Sequence, residues 1–353
     1  MNIYYFANQI YQLSYAWPLY NELGGSFLVR KYKTCFKFKK YLRGSVKTKD
    51  ASWLGTPSVQ KRDLKKFFDL SGVILSQSNS RLYNDPVKSR SVFIGHGTGD
   101  KKYGGNAQTL ESYKYLFISG PKHMEKLKDS GLKFPDASLI NIGNIRFDSY
   151  INNVENRDAL MKKMGIPKKA RSRKNILYAP TWRWGNGTIK KYTTSFMREI
   201  TREHNLIVRP HHFDVHRIPR FRLWAAANGI RNVYFSNPNR LLTNDTMQDF
   251  FVSDIMISDT SSILYEYLIT GKPIIVANTD FSSLHNMPDS MNIMKIADFY
   301  DGSENILDVV NKSLSVASDK YTEMLHKCFY FNDGRSVGRA ADFVRSLESE
   351  LNR

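Results

Sequence analysis

Short apolar runs recur along this chain, and stretches of helix length separate them. That alternation selects parallel βαβ units and with them an α/β fold. In the first half, Asn2–Ala7 reads as a strand and Gln9–Glu22 as the helix after it. Gly24-Gly25 breaks the unit, and Ser26–Val29 begins the next strand. Val73–Ser76, Val92–Ile94, Tyr115–Ile118 and Leu139–Ile142 follow as further strands. The stretch Gly165–Lys174 is polar, basic and interrupted by Pro167, which suits a linker. A second set then begins with Asn175–Ala179, Leu206–Arg209, Val233–Phe235, Asp254–Ile257 and Pro273–Ala277. Val337–Leu351 has the apolar spacing of a closing helix.

A chain of 353 residues is too long for one compact core, so two domains are expected. We place them at 1–165 and 175–335, with 336–353 as the closing helix. Two doubly wound halves predict a cleft between them, where ligands bind outside the carboxyl ends of the strands. The polar motifs should then fall just after strands, and they do.

The first motif is Val92-Phe93-Ile94-Gly95-His96-Gly97-Thr98-Gly99-Asp100-Lys101. Glycines on both sides of His96 let the backbone approach a ligand, and a neutral imidazole there can act as a general base. A turn histidine with a structural hydrogen bond is the plainer reading. The second, Ile176–Arg183, leads from a strand through Pro180 to Thr181 and Arg183, whose guanidinium can fork onto a diphosphate. The third, Leu206–His212, ends in Arg209, His211 and His212. His216 is near, but the adjacent pair has poor geometry for one ion, so phosphate contact by Arg209 and His211 is expected and no metal site. The fourth runs Asp254–Leu268 and on to Val276: strand, hydroxyl-rich turn, helix, glycine, strand. Asp259, Thr260, Ser261 and Ser262 read as a phosphate cradle at a helix N-terminus. Simple N-capping is the alternative for the serines. Glu266 either complements the helix dipole or bonds a ribose hydroxyl. Asn332–Ser336 reads as a turn and N-cap.

Lys plus Arg total 52 against 33 Asp plus Glu, a net charge of +19. Such an excess attracts nucleic acid, anionic lipid or phosphate-rich substrates. Lys31, Lys33, Lys37, Lys39, Lys40 and Arg43 interleave with Tyr32, Phe36, Phe38 and Tyr41, and Lys61, Arg62, Lys65 and Lys66 precede Phe67 and Phe68. Basic residues mixed with aromatics suit an anionic membrane interface, and a solvated basic face over core aromatics accounts for them equally well. No nucleic-acid motif is present. The start MNIYYFANQI lacks the character of a signal peptide, no apolar run of about 18 residues occurs, and Cys35 and Cys328 form no disulfide framework. These features lead us to expect a cytoplasmic protein, able to sit on a membrane surface.

Taken in order, HGTGDK, YAPTWR, RPHH, SDTSSILYEYLITGKPIIV and NDGRS resemble the CDP-glycerol glycerophosphotransferase family, the teichoic-acid primases and polymerases with related capsule polymerases. The resemblance covers roughly residues 90 to 345. It implies a GT-B fold of two Rossmann-like domains, and transfer of a polyol phosphate from a CDP-linked donor with release of CMP. The acceptor it implies is a lipid-linked saccharide or polymer at the cytoplasmic membrane face, with no cofactor and no metal. His96 matches the histidine proposed to deprotonate the acceptor, His211 the second histidine, and Asp259, Ser261 and Ser262 the donor-phosphate segment. Gly97, Thr98 and Lys101 fall in the acceptor-side loop. The sequence departs from the family at Gly99-Asp100, where a Pro-Leu type pair is usual, and at His212, where proline is common. A glycosyltransferase using a UDP- or CDP-sugar, a sugar-nucleotide epimerase, and a basic nucleic-acid- or membrane-binding protein without catalysis are the rival readings.

Overall fold

The structure, a computed structural model, describes residues 2–45, 57–95, 97, 99–103, 107–182, 187–240, 245–277, 284–316 and 319–351. The chain forms two units, Met1–His96 with Lys102–Asp148 and Phe329–Arg353, and Gly97–Lys101 with Ser149–Cys328.

In the first unit the strands are β1 (Ile3–Phe6), β2 (Ser26–Val29), β3 (Ser58–Lys61), β4 (Gly72–Ser76), β5 (Ser89–Phe93), β6 (Tyr115–Ile118) and β7 (Leu139–Asn141). They form one sheet in the order β3-β2-β1-β4-β5-β6-β7, parallel throughout. In the second unit β8 (Asn175–Tyr178), β9 (Asn205–Val208), β10 (Val233–Phe235), β11 (Ile255–Ser258), β12 (Ile274–Ala277) and β13 (Asp298–Tyr300) form a parallel sheet in the order β10-β9-β8-β11-β12-β13. Each sheet grows outward from its first strand, then switches to that strand's other side. The switch falls between β1 and β4 in one unit and between β8 and β11 in the other, which is where such sheets bind ligands.

Every residue of β4, β6, β8, β9, β11 and β12 is buried. A parallel sheet covered by helices on both faces has no wet side, so its strands are continuous apolar runs and not alternating ones. That is why those runs stand out in the sequence. Two of the edge strands, β3 and β13, do not: Ser58-Val59-Gln60-Lys61 is mostly polar, as an exposed edge allows, and neither strand is foreseen.

The boundary between the units falls at Asp148, earlier than the expected linker. The segment 149–174 is tied to the second sheet. Arg157 donates to the Asp254 carboxylate at 2.6 Å, and the Asn205 amide donates to the Ala170 carbonyl at 2.7 Å, so Gly165–Lys174 is part of a folded core. The second unit also ends sooner, at Cys328, and the chain returns to the first unit. There the helix Ser336–Leu351 packs on the helix Leu13–Leu23 and on β4 and β5. The Asp148 carboxylate accepts from the Ser336 and Val337 amides at 3.0 and 2.7 Å, satisfying the first N–H groups of that closing helix.

Candidate functional site

The site is built within the second unit, where β8 and β11 end side by side. Register pairs Ile257 with Tyr178, and the Ala179 amide donates to the Ile257 carbonyl at 2.9 Å. The loops after both strands therefore leave the sheet level with each other. Asp259 ties them together. Its fully buried carboxylate accepts from the Thr181 amide at 2.7 Å, from the Thr188 amide at 2.9 Å and from the Thr188 hydroxyl at 3.1 Å. Burial raises its pKa to about 6, against the lowering effect of those hydrogen bonds and of Lys101. Asp259 is thus a strut between loops, and its carboxylate does not face a ligand as the sequence suggested.

The hydroxyls beside it have a different standing. Ser262 occupies the N-cap of the helix Ile263–Tyr267, yet its side chain makes no capping bond. Ser261 and Ser262 are both half-buried, and the turn is held by the Ser261 amide donating to the Asp259 carbonyl at 2.6 Å. The helix has only 5 residues, so hydroxyls and backbone matter more here than a long helix's dipole. Thr260 is half-buried in the same turn, and Glu266 is buried at 2% exposure, away from any exposed ribose contact.

Arg209 corrects a second expectation. It is 4% exposed, and Nη1 donates to Asp249 at 2.6 Å and to the Ser236 hydroxyl at 2.7 Å. Ser236 donates to the same Asp249 oxygen at 2.7 Å. A guanidinium at the end of β9 is spent on joining that strand to β10 and to the helix Thr246–Val252, and does not reach out to phosphate.

His211 follows β9. Its Nδ1 accepts from the Phe213 amide at 3.4 Å, which leaves Nε2 as the protonated nitrogen of a neutral ring. Burial, then His212 and Lys101, lowers its pKa to about 3, and burial lowers His212 to about 4, so both rings are neutral at physiological pH. Trp182 stacks on His211 with ring centroids 5.8 Å apart and planes 15° from parallel, while Trp182 and Phe213 lie 4.5 Å apart.

The segment Gly97–Lys101 belongs to this unit and not to the acceptor-side half where the sequence placed it. Lys101 Nζ donates to the Thr181 hydroxyl at 3.5 Å, and its charge acts on both Asp259 and His211. Burial lowers the Lys101 pKa while Asp259 opposes the shift. Gly97 and Gly99 lie directly against Ser262. A Cβ on Gly99 would stand 2.8 Å from the Ser262 Cα, and Gly97 has φ of +138°, so both positions require glycine. His96, Thr98 and Arg183 lie outside the described residues. Of the residues expected here, Thr181, Lys101, His211 and the Asp259–Ser262 turn converge. The reading of the sequence missed Thr188, which completes the strut, and Asp100 and Tyr265, whose role appears below. Among the described residues no group of three or more His, Cys, Asp or Glu side chains is arranged to hold a metal ion.

The family described as CDP-glycerol:poly(glycerophosphate) glycerophosphotransferase matches residues 31–346. The teichoic acid glycerol-phosphate primase of Bacillus subtilis (strain 168) is 26% identical over 255 residues, 69% of this chain and 60% of that protein. The teichoic acid ribitol-phosphate polymerase TarK of Staphylococcus aureus is 30% identical over 181 residues, 48% of this chain and 33% of that protein. The chain thus spans less than two thirds of each of these relatives. A structure of the wall teichoic acid polymerase TagF shares the fold, with a TM-score of 0.70 at 16% identity over 100% of this chain and 90% of that one.

Proposed function

Because this chain belongs to the CDP-glycerol:poly(glycerophosphate) glycerophosphotransferase family, we propose that it moves a polyol phosphate, glycerol phosphate first among candidates, from a CDP-linked donor to an acceptor hydroxyl in the synthesis of a teichoic-acid or capsule-like polymer. The observation that carries this reading is the meeting of a cation, free hydroxyls and a neutral imidazole at the switch point between β8 and β11. Lys101, the Ser261 and Ser262 hydroxyls and His211 Nε2–H are the kind of groups a diphosphate needs, hydrogen-bond donors beside one cation. The acceptor oxygen attacks the donor's β-phosphorus, the bond from that phosphorus to the bridging oxygen breaks, and CMP leaves. His96 takes the acceptor's proton and Lys101 balances charge on the departing phosphate. No cofactor enters this scheme.

The test is a donor screen. Purified protein is incubated with CDP-glycerol, CDP-ribitol or UDP-sugars and a lipid-linked saccharide mimic, with and without a chelator, and the released nucleotide is identified. The reading expects CMP from a CDP-polyol in both conditions. Release of a nucleoside diphosphate would make the chain a glycosyltransferase instead.

The acceptor in this reading is lipid-linked, and the protein works at an anionic membrane face. Tyr32 and Phe36 are 76% and 72% exposed, one turn apart on the helix Tyr32–Ser45, and the exposed Lys33, Lys37 and Lys40 surround them. Phe38 and Phe67, by contrast, are core residues, so only part of each cluster is a surface. Among the described residues no helix is long and apolar enough to cross a membrane. Co-sedimentation with phosphatidylglycerol vesicles, weakened by Phe36→Glu and by salt, is the expected result. Equal binding to neutral phosphatidylcholine vesicles would overturn it.

A further inference from the structure

Three separate anchors fasten the short segment after His96. The Asp100 carboxylate accepts from the Tyr265 hydroxyl at 2.6 Å. The Asp100 carbonyl accepts from the His285 amide at 2.7 Å, and Lys101 forms an antiparallel bridge with Leu284. Tyr265 is itself held, since its oxygen accepts from the Ile293 amide at 3.1 Å, and its ring is buried at 1% exposure. Burial and then the charge of Asp100 raise its pKa well above the ordinary tyrosine value, so the phenol stays protonated as the donor. The ends of this arrangement are functional. Tyr265 lies on the helix that begins at the Ser261-Ser262 turn, and Lys101 is the cation beside Thr181.

We propose that Asp100 and Tyr265 form a latch that holds Lys101 in register with the Thr181 and Ser262 hydroxyls, which makes Asp100 a positioning residue that acts through Lys101. Loops carry cations on flexible stems, and a phosphate-binding ammonium contributes to rate only when its position is fixed before the substrate arrives. A side chain at position 100 without an acceptor oxygen would lose the Tyr265 bond and keep only the backbone anchors. The short charge-assisted bond to a buried, immobile phenol adds the direction they lack. The inference rests on the phosphotransfer reading given above.

A double-mutant cycle on the full chain tests it. Asp100→Ala and, separately, Tyr265→Phe are expected to lower kcat/KM for CDP-glycerol about tenfold, the loss of one hydrogen bond to a charged group. Asp100→Asn, which keeps an acceptor oxygen, should recover most of that loss. In a Lys101→Met background, Asp100→Ala should change kcat/KM less than twofold, because the residue it positions is gone. An equal loss in both backgrounds would mean that Asp100 only supports the fold, and would overturn the proposal. Amide hydrogen exchange separates failure of the latch from failure of the phosphotransfer reading. In Asp100→Ala and Tyr265→Phe, the amides of Gly99 to Lys101 should exchange faster while those of β8 do not. Unchanged exchange would sink the latch even in an active enzyme. A chain that releases no CMP from any CDP-polyol, yet shows the faster exchange, would sink the phosphotransfer reading and leave the latch in place.

Discussion

The loop after β4 in the first unit and the loop after β11 in the second stand at the same point of one topology, each opening the second half of its sheet. Around β4 the polar groups are amides and hydroxyls. Asn8 donates to the Ser78 hydroxyl at 3.1 Å, Gln12 to the Gln77 carbonyl at 3.0 Å, and the Tyr113 hydroxyl bonds Ser76 and the Ser78 carbonyl at 2.9 and 2.8 Å. Around β11 they are ions and imidazoles: Asp259 on its three donors, Lys101 beside it, and the Arg209–Asp249 pair at the end of β9, one strand beyond β8. The sheets are built alike, so topology decides where a loop emerges and the loop's own side chains decide what it does. A neutral network loses about 1–3 kcal/mol when one buried bond is left unmade, whereas breaking a buried ion pair costs about 3–5 kcal/mol. The two regions should therefore answer mutation very differently.

The largest difference is expected at Arg209. Arg209→Met leaves Asp249, fully buried, without its cation, and should destabilise the protein by about 3–5 kcal/mol in denaturant unfolding. Arg209→Met combined with Asp249→Leu should recover much of that loss, because no uncompensated charge remains. A single-mutant cost below about 1 kcal/mol would erase the contrast between the two regions.

A smaller effect is expected at Asp259. In Asp259→Asn the amide nitrogen meets a backbone donor in either orientation, Thr181 or Thr188, at a cost of about 1–3 kcal/mol. This cost should depend on pH. The folded pKa of Asp259 is raised to about 6, above the unfolded value, so between about pH 6 and 4 the native state binds the extra proton and the parent protein gains stability as pH falls. Asparagine cannot titrate, so the measured difference between parent and variant should grow as pH is lowered through that window. A difference that stays constant from pH 7 to 4 would place the Asp259 titration at its ordinary value.

How legible all this was in the sequence follows from the same physics. The buried central strands were legible because a doubly covered strand must be apolar along its whole length, and β8, β9, β11 and β12 all fall within one residue or so of the expected spans. Of the four edge strands, β7 and β10 were legible as short apolar runs, but β3 and β13 were not, since exposure lets an edge strand be polar. The unit boundary was misread because Gly165–Lys174 has a linker's composition while its backbone and Ala170 are fixed by long-range contacts. The motifs located the site, but residue types did not reveal which members face a ligand. Arg209 and Asp259 look like phosphate and donor contacts in sequence, and each is instead held by a partner, Asp249 or Thr188, far along the chain. The one local sign of the latch was the departure at Gly99-Asp100, whose meaning depends on Tyr265, 165 residues away.

The smallest predicted effect lies in the first unit and sharpens the comparison most. Tyr113→Phe removes a hydroxyl that bonds Ser76, the Ser78 carbonyl and the Ser80 carbonyl, the latter at 2.9 Å, while keeping the ring in the core. All partners are neutral, and burial raises the phenol's pKa far beyond the range where it could ionise near neutrality. The expected cost is about 1 kcal/mol, measured by denaturant unfolding. It should be the same at pH 5 and pH 8, because no proton is bound or released differently by the folded and unfolded states. A cost that rises or falls with pH would mean that the β4 network holds a charge after all, and the two loops would then differ in degree and not in kind.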